Sequence, residues 1–385
     1  MNILRKRIGV LGGGQLGRML IEESLRLNLN FNILDPDAGC PCNLLADTFI
    51  CGSLTDASKI NELALVSDVL TFEIEHVNTA ALLALEEQGK TIIPSPRILQ
   101  MIQDKGLQKQ FYEQHQIPGS RFVLVNDKSE WAAAVKKLES EKFVAKTRKD
   151  GYDGKGVAIL NSAGIINGSA NIPFDEPCVL EEFIPCEKEL AIIIARDAKG
   201  NILAYPAVEM EFDAVANLVT FLVSPARIDN YLAAKAEMIA RKVVESFDGI
   251  GIFAVEMFLS KAGDIFVNEV APRPHNSGHH TIEACYTSQY EQLVRILLEL
   301  PLGSTEMLQP AGMINLLGPA GFSGAYQFDN LEMISNMPGI FIHLYAKNES
   351  RPMRKMGHVS IMAPTLEEVV EKAAFVKKHL VIIPM

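Results

Sequence analysis

Near the middle of the chain, two glutamates and an asparagine stand among apolar neighbours: Glu256 between Val255 and Met257, and Asn268-Glu269 between Val267 and Val270. The segments Ile252 to Leu259 and Ile265 to Val270 alternate apolar with acidic or polar residues around a turn at Lys261 to Asp264, which predicts two antiparallel strands. Pairing would bring two carboxylates and an amide to one place. Oxygen donors of this kind suit Mg²⁺, which keeps substrate phosphates as further ligands; an exposed strand face is the bland alternative. Directly after comes Ala271-Pro272-Arg273-Pro274-His275-Asn276-Ser277-Gly278-His279-His280-Thr281, a density of polar donors that a plain turn does not explain. Arg273 is placed to stabilise charge on a transferring phosphoryl group. No thiolate or acid is spaced to complete a zinc site with His279 and His280.

Two glycine loops suggest anion binding. Gly12-Gly13-Gly14-Gln15-Leu16-Gly17 follows a strand and opens a helix, with Asp35 ending the next strand, the pattern of a dinucleotide turn. More generally, such a turn offers helix N-terminal N–H groups to an anion, and Arg18 adds a cation. The second loop, Lys146 to Gly156, joins two strands and so is a hairpin tip rather than a Walker loop. Glycines with flanking lysines there suit a lid over polyphosphate, with a solvated basic turn as the alternative. Glu181-Glu182-Phe183-Ile184 ends a strand and Glu189 begins another, an arrangement that serves an adenine and ribose or merely an edge strand. Arg351, Arg354, Lys355 and His358 form a basic cluster in an acidic protein, either a solvated loop or a holder for a substrate monophosphate.

The elements that must position these residues fall into three stretches. Strands at Arg7 to Leu11, Phe31 to Leu34, Val69 to Phe72 and Thr91 to Ile93 alternate with helices from Leu16 and over Thr79 to Glu87, which predicts a parallel sheet. From Ser95 to His115 the pattern is helical, with Ile98, Met101, Ile102 and Leu107 on one face. A strand-rich region follows, with strands Phe143 to Thr147, Val157 to Leu160, Val179 to Ile184, Leu190 to Arg196 and Ile202 to Tyr205, then a helix from Leu232 to Phe247. The last stretch, from about Gln309, carries strands Met313 to Leu316 and Phe341 to Ala346 and a helix Leu366 to Lys378, and reads as a smaller appended domain.

Bulk properties narrow the class. At 385 residues, two or three domains are expected, and 48% hydrophobic with 22% charged residues is the balance of a folded enzyme. A net charge of −11 argues against a nucleic-acid or anionic-membrane partner. Six cysteines without a CxxC pair, no membrane-length apolar run and no signal-peptide core after Arg5, Lys6 and Arg7 point to a reduced, cytoplasmic protein.

Taken in order, GGGQLGRM (Gly12 to Met19), FEIE (Phe72 to Glu75), GYDGKG (Gly151 to Gly156), NEVAPRPHNSGHHT (Asn268 to Thr281) and RPMRKMGH (Arg351 to His358) resemble the ATP-grasp superfamily and, within it, the N5-carboxyaminoimidazole ribonucleotide synthases. The last two motifs are the specific ones. The resemblance implies an α/β and α+β protein of ATP-grasp fold. Residues 1–97 would form a Rossmann-like pre-ATP-grasp domain, 98–308 the ATP-grasp domain with a lid at about 118–184, and 309–385 a small C-terminal domain. It also implies ATP with Mg²⁺ or Mn²⁺, bicarbonate as co-substrate, no biotin, small-molecule partners only, and a homodimer. Lys105 and Lys146 would contact ATP phosphates, and Gly151, Tyr152, Asp153, Gly154, Lys155 and Gly156 would form the lid. Glu181, Glu182, Phe183 and Ile184 would line adenine, with Glu189 on the ribose. Glu256, Glu269 and Asn268 would hold the metal, Asn268 and Glu269 also meeting ATP. Arg273, Lys146 and Glu269 would be catalytic. The imidazole ribonucleotide would lie among Gly14, Gln15, Arg18, Glu73, Tyr152, Asp153, Arg273, His275, Asn276, Ser277, Arg351, Arg354 and Lys355. Two departures stand out: Asp150 replaces the first of two lid glycines, and Phe212 stands where the family has histidine. An NAD-dependent oxidoreductase would explain the first glycine turn but not the paired glutamates. A silent nucleotide-binding regulator would need no metal pair. A formate-using transformylase or biotin-dependent carboxylase should differ at Asn276 to Thr281 and Arg354 to His358.

Overall fold

A computed structural model describes residues 6–149, 156–213 and 218–385. The first unit is a parallel sheet of β1 (Arg7–Leu11), β2 (Asn30–Asp35), β3 (Thr48–Cys51), β4 (Val69–Phe72) and β5 (Thr91–Ile92) in the order β3-β2-β1-β4-β5. Helices α1 (Gln15–Ser24), α2 (Ala57–Val66) and α3 (Thr79–Glu87) make the crossovers. The alternating pattern foretells this sheet but passes over β3 and α2, because β3 is short and mostly outside the core. Asp56 and Asn78 cap α2 and α3 through their side chains, each cap worth about 1 kcal/mol.

The helical stretch before residue 115 is two helices, α4 (Pro96–Ile102) and α5 (Lys105–Gln114). Asp104 breaks it: its carboxylate accepts from the Gly106 and Leu107 N–H groups and so starts a new helix. Leu107, expected on the apolar face, is therefore exposed. The break also sets Lys105 at the first position of α5.

Strands β6 (Phe122–Val125), β7 (Lys142–Thr147), β8 (Val157–Asn161) and β9 (Cys178–Glu182), with helices α6 (Trp131–Leu138) and α7 (Ser162–Ile166), form a separate four-stranded sheet ordered β6-β9-β7-β8. Its core is Trp131, Phe143 and their apolar neighbours. Lys146 pairs with Val157, so β7 and β8 are the antiparallel arms on either side of the second glycine loop. Residues Asp150, Gly151, Tyr152, Asp153, Gly154 and Lys155 lie outside the described residues. β9 ends at Glu182, leaving Phe183 and Ile184 in the connection rather than in the strand.

Next come β10 (Cys186–Arg196), β11 (Ile202–Ala204), β12 (Val208–Phe212), β13 (Val219–Ser224), helix α8 (Asn230–Phe247), β14 (Gly251–Ser260), β15 (Ile265–Ala271) and helices α9 (Thr281–Ala284) and α10 (Gln289–Leu297). The remainder is β16 (Ala311–Leu317), β17 (Tyr326–Asp329), α11 (Leu331–Ser335), β18 (Ile340–Leu344), β19 (Lys355–Met362), α12 (Leu366–His379) and β20 (Val381–Pro384). One sheet runs β15-β14-β10-β12-β13-β16-β19-β18, so the C-terminal strands β16, β18 and β19 extend the central sheet, while β17 and β20 pair as a separate two-stranded sheet. β13 and β16 pair directly, Phe221 opposite Ile314. α8 packs on one part of this sheet and α12 on another, each burying its own apolar cluster. No helix among the described residues is long and apolar enough to cross a membrane.

Candidate active site

β14 and β15 place Glu256 directly opposite Glu269. The register then slips, Met257 facing Val267, so Asn268 is the extra residue of a β-bulge. In a regular strand, consecutive side chains point to opposite faces; a bulge relaxes that alternation and re-aims a side chain. Glu269 Oε2 accepts from Lys105 Nζ at 2.9 Å, and Asn268 Oδ1 accepts from Lys146 Nζ at 2.9 Å. Lys146 also lies 3.1 Å from Glu181 Oε1.

The two paired carboxylates have opposite electrostatics. The charge of Lys105, with help from Lys146, holds Glu269 below the usual carboxylate range. Burial, then the negative charge of Glu269, pushes Glu256 well above it. Two such carboxylates at one register position repel unless a cation or a proton lies between them. Together with the amide of Asn268, they are a hard oxygen donor set that fits Mg²⁺, which leaves room for phosphate oxygens.

His275 joins the pair from the polar loop, its Nε2 3.4 Å from Glu256 Oε1. The Ser277 backbone N–H donates to His275 Nδ1 at 3.3 Å, which makes Nδ1 the acceptor and leaves the proton on Nε2, facing Glu256. Burial, then the charges of Arg273 and Lys355, push His275 down to about 3. The imidazole is neutral at any physiological pH. Ser277 thus sets the tautomer of His275 and is itself fully buried.

Arg273 Nη2 lies 3.0 Å from Glu75 Oε1, and its Nη1 donates to the Pro274 carbonyl at 3.2 Å. The guanidinium is thereby aimed from the FEIE segment after β4. Lys355 begins β19, and its charge acts on both Glu256 and His275. The C-terminal basic cluster therefore adjoins the acidic pair. A residue absent from the expected set belongs with it: Lys347, whose Nζ donates to the Lys355 carbonyl at 2.7 Å. Burial, then Arg354 and Lys355, push Lys347 down to about 8, the mark of cations gathered without enough counter-charge. Its position in the same basic stretch as RPMRK was the available signal. Arg351 is largely exposed and lies 3.8 Å from Glu349, and Arg354 donates to the Glu349 carbonyl.

Several expected contacts are already engaged within the chain. The N–H groups of the first glycine turn are not open to an anion: Gly14 and Gly17 donate to Glu73 at 2.5 and 2.7 Å, and Gly13 donates to Asp35 at 2.7 Å. Gly12 has φ +98°, and a Cβ on Gly14 would sit 2.7 Å from Glu73 Oε1, so the glycines admit a carboxylate of this protein. The dinucleotide reading fails for that reason: Asp35 and Glu73 take up the N–H groups that a pyrophosphate would need. Gln15 starts α1 beside this clamp. Arg18 is paired with Glu22 at 2.7 Å along α1. The Asn276 side chain forms a reciprocal amide pair with Asn315, at 2.9 and 2.8 Å, which uses one of its two N–H donors and one oxygen lone pair. Glu181 is buried against Lys109 at 2.7 Å and Ser120 at 2.6 Å; burial opposes its charge, but Lys109 and Lys146 outweigh that and hold it ionised. Glu182 is forked onto Arg121 at 2.8 and 3.1 Å. Both carboxylates are thus engaged by cationic side chains of this protein. Glu189 stands at the β10 end, pushed up to about 7 by burial. Phe212 packs with Val208, Met210 and Met313. Gly156 closes the hairpin with φ +72°, its carbonyl accepting from Thr147.

The clamp makes a prediction. Glu73→Ala removes a carboxylate that serves two backbone donors and is expected to cost about 2 kcal/mol of stability. A urea midpoint indistinguishable from that of the unchanged chain would contradict it.

An acidic pair with two lysines, beside a basic cluster, is the layout of a phosphoryl-transferring ligase. The ATP-grasp domain family matches residues 110–290, the ribonucleotide synthetase preATP-grasp domain 5–103, and the phosphoribosylaminoimidazole carboxylase C-terminal domain 311–372. The chain is an ATP-grasp protein.

Whole-chain similarity narrows this further. The N5-carboxyaminoimidazole ribonucleotide synthase of Synechococcus elongatus is 36% identical over 92% of this chain and 89% of its own. The N5-carboxyaminoimidazole ribonucleotide synthetase structure from Thermotoga maritima superposes with a TM-score of 0.89 at 41% identity, covering 99% of this chain and 100% of that one. An Aspergillus clavatus synthase solved with ADP and 5-aminoimidazole ribonucleotide gives 0.87 at 34%, covering 98% of each. The chain also spans 65% of the longer chloroplastic phosphoribosylaminoimidazole carboxylase of Vigna aconitifolia, at 38% identity over 94% of this chain. It belongs to the N5-carboxyaminoimidazole ribonucleotide synthase family, the ATP-dependent enzymes of that step in purine biosynthesis.

Proposed function

We propose that this chain uses ATP to join bicarbonate to the exocyclic amine of 5-aminoimidazole ribonucleotide, giving N5-carboxyaminoimidazole ribonucleotide, ADP and phosphate by way of carboxyphosphate. The observation that carries the reading is the adjacency of two half-sites: Glu256, Asn268 and Glu269 with Lys105 and Lys146, and Arg273 and His275 with Lys355. The first half suits the triphosphate and the second a bicarbonate and a ribonucleotide.

Mg²⁺, held by Glu256, Glu269 and Asn268, would supply charge neutralisation at the β- and γ-phosphates. Lys105 and Lys146, on α5 and β7, hold the phosphates as point charges. Gly151 to Gly156 closes over them, the backbone of Glu181 to Ile184 faces the adenine, and Glu189 accepts from the ribose hydroxyls. Arg273, held by Glu75, stabilises negative charge as a bicarbonate oxygen attacks the γ-phosphorus and ADP leaves. The neutral His275 donates to an anionic oxygen instead of carrying charge. Lys347, Arg351, Arg354 and Lys355 take the ribonucleotide phosphate, with Gln15, Tyr152 and Asp153 around the base. Glu73, Asn276 and Ser277 shape the site from behind. Capture of the carboxyl carbon by the amine breaks its bond to the bridging oxygen, which departs with phosphate. Bicarbonate labelled with ¹⁸O is therefore expected to deliver one labelled oxygen to phosphate; unlabelled phosphate would overturn the carboxyphosphate route. The same reading carries a homodimer in the cytoplasm, the latter supported by free Cys40, Cys42, Cys51, Cys178, Cys186 and Cys285. Sedimentation velocity measures the former.

Glu189 gives this reading a pH signature. Its carboxyl is raised to about 7, so near neutrality part of the free protein carries a proton that ribose contact must expel. ADP affinity is expected to rise from pH 6 to 8 with proton release, and Glu189→Gln to flatten that rise. Calorimetry in buffers of different ionisation enthalpy measures the released proton; equal pH dependence in both proteins would contradict the ribose role.

A further inference from the structure

Behind the site, three imidazoles form a stack that the mechanism above does not use. The His343 and His358 rings lie 4.3 Å apart and parallel to within 2°, and His279 lies 4.8 Å from His358, tilted by 38°. The rings come from different parts of the chain: His279 from the polar loop, His358 from β19, His343 from its register partner on β18. Each is fixed by a separate hydrogen bond. Tyr290 Oη on α10 meets His279 Nδ1 at 3.1 Å, Tyr345 Oη meets His358 Nδ1 at 2.8 Å, and His343 Nε2 meets Glu283 Oε1 at 2.6 Å. Leucines would fill this space without fixing ring orientation; imidazoles anchored at one nitrogen set both distance and rotation. Burial pushes His279 and His358 well below their ordinary range, so these two rings are held neutral.

The two inner rings sit close in sequence to groups of the ribonucleotide half-site. His279 follows His275 in one short polar loop, and His358 follows Lys355 on β19. Asn315, opposite His358 on β16, makes the reciprocal amide pair with Asn276, a second tie between the same two segments. Lys105 and Lys146, by contrast, come from α5 and β7. We infer that the stack His279, His358 and His343 is a positioning device that fixes the polar loop against β19, so that it governs affinity for the ribonucleotide and leaves ATP affinity alone.

This inference rests on the activity proposed above, and the unchanged chain assayed in parallel separates the two. His358→Phe keeps a flat ring but loses the Tyr345 hydrogen bond. It is expected to raise KM for aminoimidazole ribonucleotide about tenfold while KM for ATP stays within about twofold, the split a displaced binding group produces. His343→Gln, at the partly exposed outer end, is the second variant, with a smaller rise of about threefold expected in the same constant alone. If His358→Phe does not fold, His343→Gln decides. Parallel changes in both KM values, or no change in either variant, would overturn the stack's role. Absence of ribonucleotide turnover in the unchanged chain would overturn the activity instead.

Discussion

Glu269→Gln is expected to lower ATP-dependent phosphate release by about 10³-fold or more while the chain stays folded. The carboxylate is held ionised by Lys105 and Lys146 and stands opposite Glu256 across β14 and β15. An amide keeps the shape but removes the charge that a divalent cation needs. Glu256→Gln is expected to be as inactive, without loss of stability. Its carboxyl is raised by burial and by Glu269, so the folded chain binds a proton there more tightly than the unfolded chain. The sign follows from linkage: this group's contribution to stability is present at low pH and is lost as pH rises through its raised range. Glu256→Gln should therefore melt at the same temperature as the unchanged chain or higher near pH 8, and magnesium affinity in the unchanged chain should fall as pH drops and Glu256 takes up its proton. Thermal melts and phosphate release across pH 6 to 9 measure both. Retained turnover in either variant would remove the metal role.

Arg273→Lys is expected to lower kcat by about 10²-fold, and Arg273→Ala by about 10³-fold. Glu75 and the Pro274 carbonyl fix the guanidinium by two of its nitrogens, which leaves its orientation little freedom. Lysine keeps the charge, but as a point charge on a flexible stem it cannot reproduce the fork. Single-turnover rates with saturating ATP isolate the effect from binding. A lysine variant within about threefold of the unchanged chain would show that charge alone suffices there.

The features legible in the sequence are those written in local pattern. β14 and β15 were readable because Val255-Glu256-Met257 and Val267-Asn268-Glu269-Val270 alternate on either side of a turn, and their pairing is direct. The bulge at Asn268 was not, because nothing local marks it. The break at Asp104 was available as a capping residue before Lys105 but is masked by apolar spacing that continues through Leu107. What escaped entirely depends on partners distant in sequence. Glu73 meets Gly14 and Gly17 only because β1 and β4 are neighbours, and that contact turns an apparent dinucleotide loop into a closed structural turn. Asn276 reads as a ligand donor, but Asn315, on β16, takes one of its two N–H groups. The continuation of the central sheet through β13 and β16 is likewise a pairing of strands with α8, β14 and β15 between them in the chain. Tertiary pairing, not local pattern, sets which motif residues are engaged within the chain.

The most direct test follows phosphate release with Mg-ATP while each co-substrate is withheld in turn. One phosphate is expected per aminoimidazole ribonucleotide consumed, with release depending on both the ribonucleotide and bicarbonate. Equal turnover with formate and glycinamide ribonucleotide, or no turnover with any ribonucleotide, would contradict the account.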